Sequence, residues 1–118
     1  MNLGETTQRY PKSSRLITPT QYRRVFTDAQ RVFVHPFSVV LRSNDGDGPR
    51  LGLAISRKCA RQAVARNRIK RLIRESFRQN QARLGSFDLV FMCRPGAAEL
   101  RNAQLRGALE KLWLRLSK

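Results

Sequence analysis

The stretch from Arg57 to Arg78 reads RKCARQAVARNRIKRLIRESFR and carries nine basic residues and one acid. When these residues are placed on a helix at about 100° each, the apolar side chains gather on one side. That side comprises Ala65, Ile69, Leu72, Ile73, Ser76 and Phe77. The opposite side comprises Asn67, Lys70, Arg71, Arg74 and Arg78, with Arg66 and Arg68 on its flanks. The stretch therefore predicts a helix with one face packed against a core and one cationic face.

The cations of this helix are not neutralised within it. Glu75 is the only acid in the stretch that can pair with a cation one turn away. A run of charge is often only a solvated helix face, and that alternative stays open at this point. However, the mutual repulsion of so many cations favours a polyanionic partner. Arginine outnumbers lysine here and forms forked hydrogen bonds to phosphate, so the pattern indicates a partner rich in phosphate.

The composition of the whole chain favours the same kind of partner. The 118 residues carry a formal net charge of +16 with a pI near 11.7, which indicates nucleic acid first and an anionic membrane surface second. The hydrophobic content of 41% suits a globular fold. No apolar run approaches the roughly 20 residues of a membrane span. The N-terminal residues lack the apolar segment of a secretory signal, so we expect a cytoplasmic protein.

Local patterns predict how the chain begins. Residues 1–14 have no hydrophobic period and predict a flexible N-terminal tail, and residues 15–118 predict a single domain. A short first helix follows from apolar residues at helical spacing, namely Tyr22, Val25, Phe26 and Ala29.

Three strands are predicted after this helix. Pro36 lacks the donor that a sheet ladder needs, so the first strand starts at Phe37. Residues 50–57 alternate bulky with small side chains, and the segment SNDGDGP before them predicts a hairpin between these two strands. The small side chains leave room on one face of the sheet for another element. Residues 87–93 predict the third strand, which ends before Pro95.

The C-terminal segment predicts a last helix. Its apolar residues at helical spacing are Leu105, Leu109, Leu112, Trp113 and Leu116. The order of elements is therefore helix, strand, strand, basic helix, strand, helix (α-β-β-α-β-α). This order predicts an α+β fold in which helices pack on a single sheet.

The cysteines and the histidine indicate no catalytic or metal site. Cys59 and Cys93 belong to no metal-ligand or disulfide pattern, so we expect free thiols. His35, the single histidine, precedes Pro36, and no partner carboxylate or nucleophile motif accompanies it. We therefore expect a structural or surface role for His35. The sequence offers neither clustered carboxylates nor a nucleophile with a base. We therefore expect no catalytic side chain.

The run from Ala65 to Arg78, preceded by ISRK at residues 55–58, closely resembles the bacterial ribonuclease P protein component, in which an R-N-R segment opens the long helix. Residues 16–26, RLGL at residues 50–53 and LEKLW at residues 109–113 resemble the same family, so the likeness extends over nearly the whole domain. The resemblance implies a left-handed crossover from the second to the third strand through the long helix.

The resemblance also implies a function, which is to assist a catalytic RNA in removing the 5′ leader from precursor transfer RNA. The partners would be the ribonuclease P RNA subunit and the precursor, with no DNA, no membrane and no obligate protein partner. The RNA would hold most of the Mg²⁺ of the holoenzyme, and the protein alone would bind no cofactor. The chain would then be the non-catalytic subunit of an endoribonuclease.

Two sets of site residues follow from the resemblance. The RNA subunit would be contacted by Arg57, Lys58, Arg61, Arg66, Asn67, Arg68, Lys70, Arg71 and Arg74. The single-stranded leader would enter a cleft lined by Tyr22, Phe26, Phe37 and Val39. Aromatic rings stack on unpaired bases with little sequence preference, which suits a leader of variable sequence. For Tyr22 and Phe26, plain packing in the core remains the alternative.

Two other functions stay open. A ribosomal or other structural RNA-binding protein would have the same architecture and charge. Peripheral attachment to an anionic membrane is the second, although a membrane-surface helix would expose to lipid the apolar residues that the core needs.

Overall fold

The computed structural model describes residues 19–27, 29–44, 46 and 48–117, and for Tyr22 it describes the backbone alone. The predicted tail lies outside these residues, so the division into residues 1–14 and 15–118 stays a prediction. The helices and strands are α1 Pro19–Phe26, β1 Gln30–Val34, β2 Phe37–Ser43, β3 Arg50–Leu53, α2 Ala63–Asn80, β4 Phe87–Cys93 and α3 Asn102–Leu116. Short 3₁₀ turns follow α2 at Gln81–Arg83 and precede α3 at Ala97–Glu99. None of the helices in the described residues is long and apolar enough to cross a membrane.

The four strands form one sheet in the order β1-β2-β4-β3. β1 pairs antiparallel with β2 and β2 pairs antiparallel with β4, whereas β3 runs parallel to β4. β4 is central because it is apolar on both faces: Leu89 and Phe91 point to one side, Val90 to the other, and all three are buried. The predicted α+β fold on a single sheet is confirmed.

Two details of the predicted sheet are wrong. β1 was not expected, because Pro36 was taken to interrupt the strand pattern and the first strand was predicted to start after it, at Phe37. It lies instead in the tight turn between β1 and β2, where no ladder donor is needed and where the His35–Pro36 peptide bond is cis. The predicted hairpin between β2 and β3 is also absent, since β4 inserts between them. β3 and β4 are instead joined by α2 in a parallel crossover, the hand of which stays a prediction.

Helices cover both faces of the sheet. The larger core lies between one face and helices α2 and α3, and the indole N–H of Trp113 donates there to Ser76 Oγ at 2.6 Å. The predicted inward faces are confirmed, because Ile69, Leu72, Ile73 and Phe77 of α2 and Leu105, Leu109, Leu112, Trp113 and Leu116 of α3 are all buried. α1 covers part of the opposite face through Val25, which packs with Val40 and Val90.

A disulfide joins Cys59 to Cys93, with the two Cα atoms 5.3 Å apart. The prediction of free thiols is therefore wrong. The two residues are separated by 34 positions, but β3 and β4 are parallel neighbours. The loop that follows β3 and the last residue of β4 therefore lie at the same end of the sheet. The spacing of the two cysteines along the chain does not predict this proximity.

Candidate nucleic-acid interface

α2 presents its cations on the side away from the core. Ile69 and Ile73 are fully buried, whereas Arg71 and Arg74 are exposed and Lys70 is partly exposed. The loop between β3 and α2 adds further exposed cations. We define the cationic surface as Arg57, Lys58, Arg61, Asn67, Lys70, Arg71 and Arg74. All seven were predicted from the sequence to contact RNA.

The N-terminal end of α2 adds a partial positive charge to this surface. Gln62 occupies the N-cap position without a side-chain cap among the described residues, and the first turn contains no acid. The free N–H groups and the helix dipole there favour an anion. A cavity of about 390 Å³ opens beside this end, and Lys58, Arg61 and Glu99 contribute to its lining. This end of the helix can therefore receive a phosphate group beside two cations.

Arg66, the first arginine of the R-N-R segment, is partly buried and holds the loop before the helix. Its Nη1 donates to the carbonyl oxygens of Ala60, at 3.0 Å, and Arg61, at 2.8 Å. Because the loop carries three members of the cationic surface, Arg66 helps to fix where those cations stand.

Arg68, the second arginine of that segment, is partly buried and holds the start of α3. Its Nη2 donates to the carbonyl oxygens of Ala98, at 2.9 Å, and Leu100, at 3.3 Å, while Nη1 donates to Asn102 Oδ1. A guanidinium has more donors than these contacts use, so both arginines keep donors for the predicted contact with RNA. Their roles within the protein were not expected from sequence, because the acceptors are backbone carbonyls and an amide that carry no charge signal.

A second surface lies beside α1, on the sheet face opposite to the larger core. Phe26, at the end of α1, is 44% exposed, so it is not a core residue and its ring is available to a ligand. Tyr22 is in the same helix, but its side chain lies outside the described residues. Arg42 Nη1 donates to the carbonyl oxygen of Arg24 at 3.0 Å and ties the end of α1 to β2.

The structure places Phe37 and Val39 away from this surface. Both are fully buried in the larger core, on the face covered by α2 and α3. The prediction that they line the cleft is therefore wrong, because alternate residues of a strand point to opposite faces and these two lie on the face that α2 and α3 cover.

The residues that face the α1 side are the intervening ones. Phe33 pairs with Ser38, and Ser38 pairs with Met92, so these three side chains form a row across three strands on one face. Ser38 and Met92 are partly exposed, and Phe33 is 43% exposed with the Arg94 guanidinium 4.6 Å above its ring. Strand alternation predicts that these residues share one face of the sheet. Only the position of α1 shows that this face lines the cleft.

The described residues do not fit a metal site. No group of three or more His, Cys, Asp or Glu side chains converges among residues 19–27, 29–44, 46 and 48–117. The buried carboxylate of Asp88 already accepts from Arg50 Nε at 2.7 Å, from Arg50 Nη2 at 2.9 Å and from Asn44 Nδ2 at 2.9 Å. No chemical step is assigned to a metal on these residues.

A small α+β domain with an arginine-rich crossover helix exposed along one side defines a class of basic nucleic-acid-binding proteins. Comparison with known proteins identifies the family within that class: the family model for ribonuclease P matches residues 10–117. The chain belongs to the ribonuclease P protein family.

Relatives and solved structures agree with this assignment. The ribonuclease P protein component of Thioalkalivibrio sulfidiphilus is 53% identical over 110 residues, which cover 93% of this chain and 92% of that protein. The component from Methylococcus capsulatus is 51% identical over 109 residues, which cover 92% and 85%. The RNase P protein structure from Staphylococcus aureus superposes with a TM-score of 0.81 at 26% identity, covering 91% of this chain and 100% of that one. The structure from Thermotoga maritima in complex with 1-(4-fluorophenyl)-2-thiourea gives 0.78 at 30% identity, covering 87% and 100%.

Family membership decides between the functions left open by the sequence. The chain is a protein subunit of the ribonucleoprotein enzyme ribonuclease P and associates with its RNA subunit. The ribosomal alternative is not favoured.

Proposed function

We propose that the cationic surface docks on the ribonuclease P RNA and that the cleft beside α1 receives the single-stranded 5′ leader of precursor transfer RNA. The RNA then cleaves the leader, and the protein positions it. The observation that carries this proposal is the row of exposed cations on α2 and the loop before it, which form no ion pair within the described residues. Cations in such a row contact phosphates and release counterions, which gives affinity with little sequence preference.

The cleft suits a single strand better than a duplex. Among the described side chains, the exposed aromatics are Phe26 on α1 and Phe33 on β1. Ser38 and Met92 continue the row of Phe33 across the sheet and are partly exposed. Unpaired bases stack on exposed rings, whereas paired bases are hidden in their own stack. The Arg94 guanidinium above Phe33 adds a cation for the backbone of the strand.

The catalytic ions and the cellular location complete the proposal. The RNA subunit would hold most of the Mg²⁺, since no carboxylate cluster converges in the described residues, and the protein would supply no catalytic side chain. The site of action would be the cytoplasm, where bacterial precursor transfer RNA is made. Neither DNA, nor a membrane, nor an obligate protein partner is part of the proposal.

Reconstitution tests this function. A 5′-extended precursor transfer RNA is incubated with a bacterial ribonuclease P RNA at low Mg²⁺, with and without the protein, and the cleavage junction is mapped. The protein should stimulate cleavage at the mature 5′ end. Arg71→Ala/Arg74→Ala should lose this stimulation. Arg106→Ala/Lys111→Ala removes the same charge from exposed positions on α3 and should keep it. If both double variants lose stimulation equally, the stimulation depends only on net charge. That result would contradict a defined docking surface.

A further inference from the structure

The disulfide between Cys59 and Cys93 lies at the edge of the cationic surface. Cys59 is in the turn that carries Arg57 and Lys58, where its N–H donates to the carbonyl oxygen of Ser56 at 3.1 Å. Cys93 is the last residue of β4. Their Cα separation of 5.3 Å is within the ordinary range for a disulfide, so the bond can form and break without a large backbone movement. The bond thus fastens the basic loop to the C-terminal end of β4.

The surroundings of Cys59 favour thiol chemistry. Lys58 precedes it and Arg61 follows it by two residues. Both cations are exposed and line the adjoining cavity with Cys59, and the acid that shares this cavity is Glu99. Neighbouring cations stabilise a thiolate, which is the form that attacks and leaves in thiol–disulfide exchange.

The two sulfurs differ in access. Cys59 is 2% exposed and lies at the wall of the cavity of about 390 Å³ between its loop and residues 95–99. Cys93 is partly exposed. A small thiolate therefore reaches the Cys93 sulfur more readily than the Cys59 sulfur, so attack at Cys93 releases Cys59.

We infer that Cys59 and Cys93 form a redox-active dithiol–disulfide pair, with low-molecular-weight thiols and disulfides of the glutathione class as co-reactants, and that the disulfide form holds the basic loop ready for RNA. The inference rests on the proposed docking of that loop and on the proposed cytoplasmic location. In a reducing compartment, disulfides that do occur are mainly transient or redox-sensing.

The exchange balances in two steps. A small thiolate attacks Cys93 Sγ, breaks the protein disulfide and releases the Cys59 thiolate, leaving a mixed disulfide on Cys93. A second small thiolate attacks the small-molecule sulfur of that mixed disulfide and releases the Cys93 thiolate with one small-molecule disulfide. Two electrons pass from the small thiols to the protein, and oxidation is the reverse, in which a small disulfide takes two electrons and becomes two thiols.

The affinity for RNA should follow the state of the pair. In the disulfide form, the loop is held by the covalent bond as well as by the hydrogen bonds from Arg66 to Ala60 and Arg61. In the dithiol form only the non-covalent contacts remain, so more freedom is lost when the loop is ordered on RNA. If binding of the dithiol form must order one or two additional side chains, its complex with RNA should be roughly threefold to tenfold weaker.

The test first measures the pair without RNA. The full chain is equilibrated in buffers that span reduced to oxidised glutathione, quenched with an alkylating agent, and analysed by intact mass. A reversible transition between monomeric dithiol and monomeric disulfide supports the inference. A chain that stays in one form across all the buffers, or that forms disulfide-linked dimers, overturns it.

The second measurement is binding to a bacterial ribonuclease P RNA in each redox state. The disulfide form should bind about threefold to tenfold more tightly, and Cys59→Ser/Cys93→Ser should bind like the dithiol form under all conditions. Thermal melts confirm that each form is folded at the binding temperature. Equal affinities of the two forms contradict the inference while leaving the proposed function intact. Failure of both forms to bind RNA, with a reversible glutathione transition, overturns the proposed docking and with it the coupling.

Discussion

Replacing Arg68 by Ala should destabilise the protein, whereas replacing Arg71 by Ala should not. Arg68 donates three hydrogen bonds to the segment that leads into α3, while Arg71, on the same helix, is exposed and makes no side-chain hydrogen bond or ion pair with the described residues. The two variants remove the same side chain and the same charge. They differ in what the guanidinium holds within the protein, which makes Arg71→Ala a matched control.

The magnitude follows from the contacts. A hydrogen bond from a charged donor contributes about 1.5–3 kcal/mol when buried, but Arg68 is partly exposed and water can replace it at the carbonyl oxygens. We therefore expect Arg68→Ala to lower the free energy of unfolding by about 1–2 kcal/mol in total. For a domain of this size the melting temperature should fall by about 4–8 °C. Arg71→Ala should change the free energy by no more than about 0.5 kcal/mol.

Binding to the RNA subunit should separate the two residues differently. If Arg71 contacts a phosphate, its loss should weaken binding and reduce the slope of log K against log salt by about 0.7–0.9. Arg68→Ala should weaken binding even where its own phosphate contact is minor, because the segment at the start of α3 is no longer held against α2. Thermal melts and salt titrations of the two variants measure these effects.

A double-mutant cycle supplies the decisive control. Asn102→Ala removes one acceptor of Arg68 without changing charge, so Arg68→Ala and Asn102→Ala should be non-additive in stability, with a coupling of about 0.5–1 kcal/mol. Strict additivity, together with a wild-type melting temperature for Arg68→Ala, would refute the reasoning. Arg68 would then act only as a phosphate contact.

Three further substitutions test other parts of the structure. Phe26→Ala should weaken binding of the 5′-extended precursor to the holoenzyme by about 1–3 kcal/mol per lost stacked base. Binding of mature transfer RNA should stay unchanged. Equal losses for both ligands would instead indicate a folding defect. Ser76→Ala leaves the buried indole N–H of Trp113 without its acceptor and should lower the free energy of unfolding by about 1–3 kcal/mol in chemical denaturation; an unchanged midpoint would contradict this. Asp88→Ala removes the bidentate partner of Arg50 and should lower the free energy of unfolding in chemical denaturation by about 3–5 kcal/mol. Asp88→Asn keeps an acceptor for Arg50 and should lower it by less; the opposite order would contradict a stabilising role for these hydrogen bonds.

The helices could be predicted from the sequence because their signal is local. Ile69, Ile73 and Phe77 recur at helical spacing, and the structure buries all three. The same periodicity assigned the cationic face, since side chains on the opposite side of a packed helix must face away from the core. The family resemblance rested on the same stretch, which is why the assignment to ribonuclease P needed no tertiary information.

Strand neighbours and sheet faces could not be predicted in the same way. Phe37 and Val39 alternate with Ser38 and Val40, and either pair suits either face until the helices have been placed. β2 and β3 are consecutive and separated by a turn-rich segment, so a hairpin was the local expectation. The structure instead places β4 between them, because a strand that is apolar on both faces is best buried in the centre of a sheet.

The sequence by itself determined the basic helix, its two faces, the family and the presence of an α+β domain, because each depends on residues close together in the chain. Only the tertiary structure decided that Cys59 meets Cys93, that Arg68 holds the start of α3, and that Ser38 and Met92 rather than Phe37 and Val39 face the cleft. These are contacts between residues far apart in the chain. The disulfide, for example, is possible because the parallel crossover brings the loop after β3 and the end of β4 to the same end of the sheet, a geometry that no local pattern encodes.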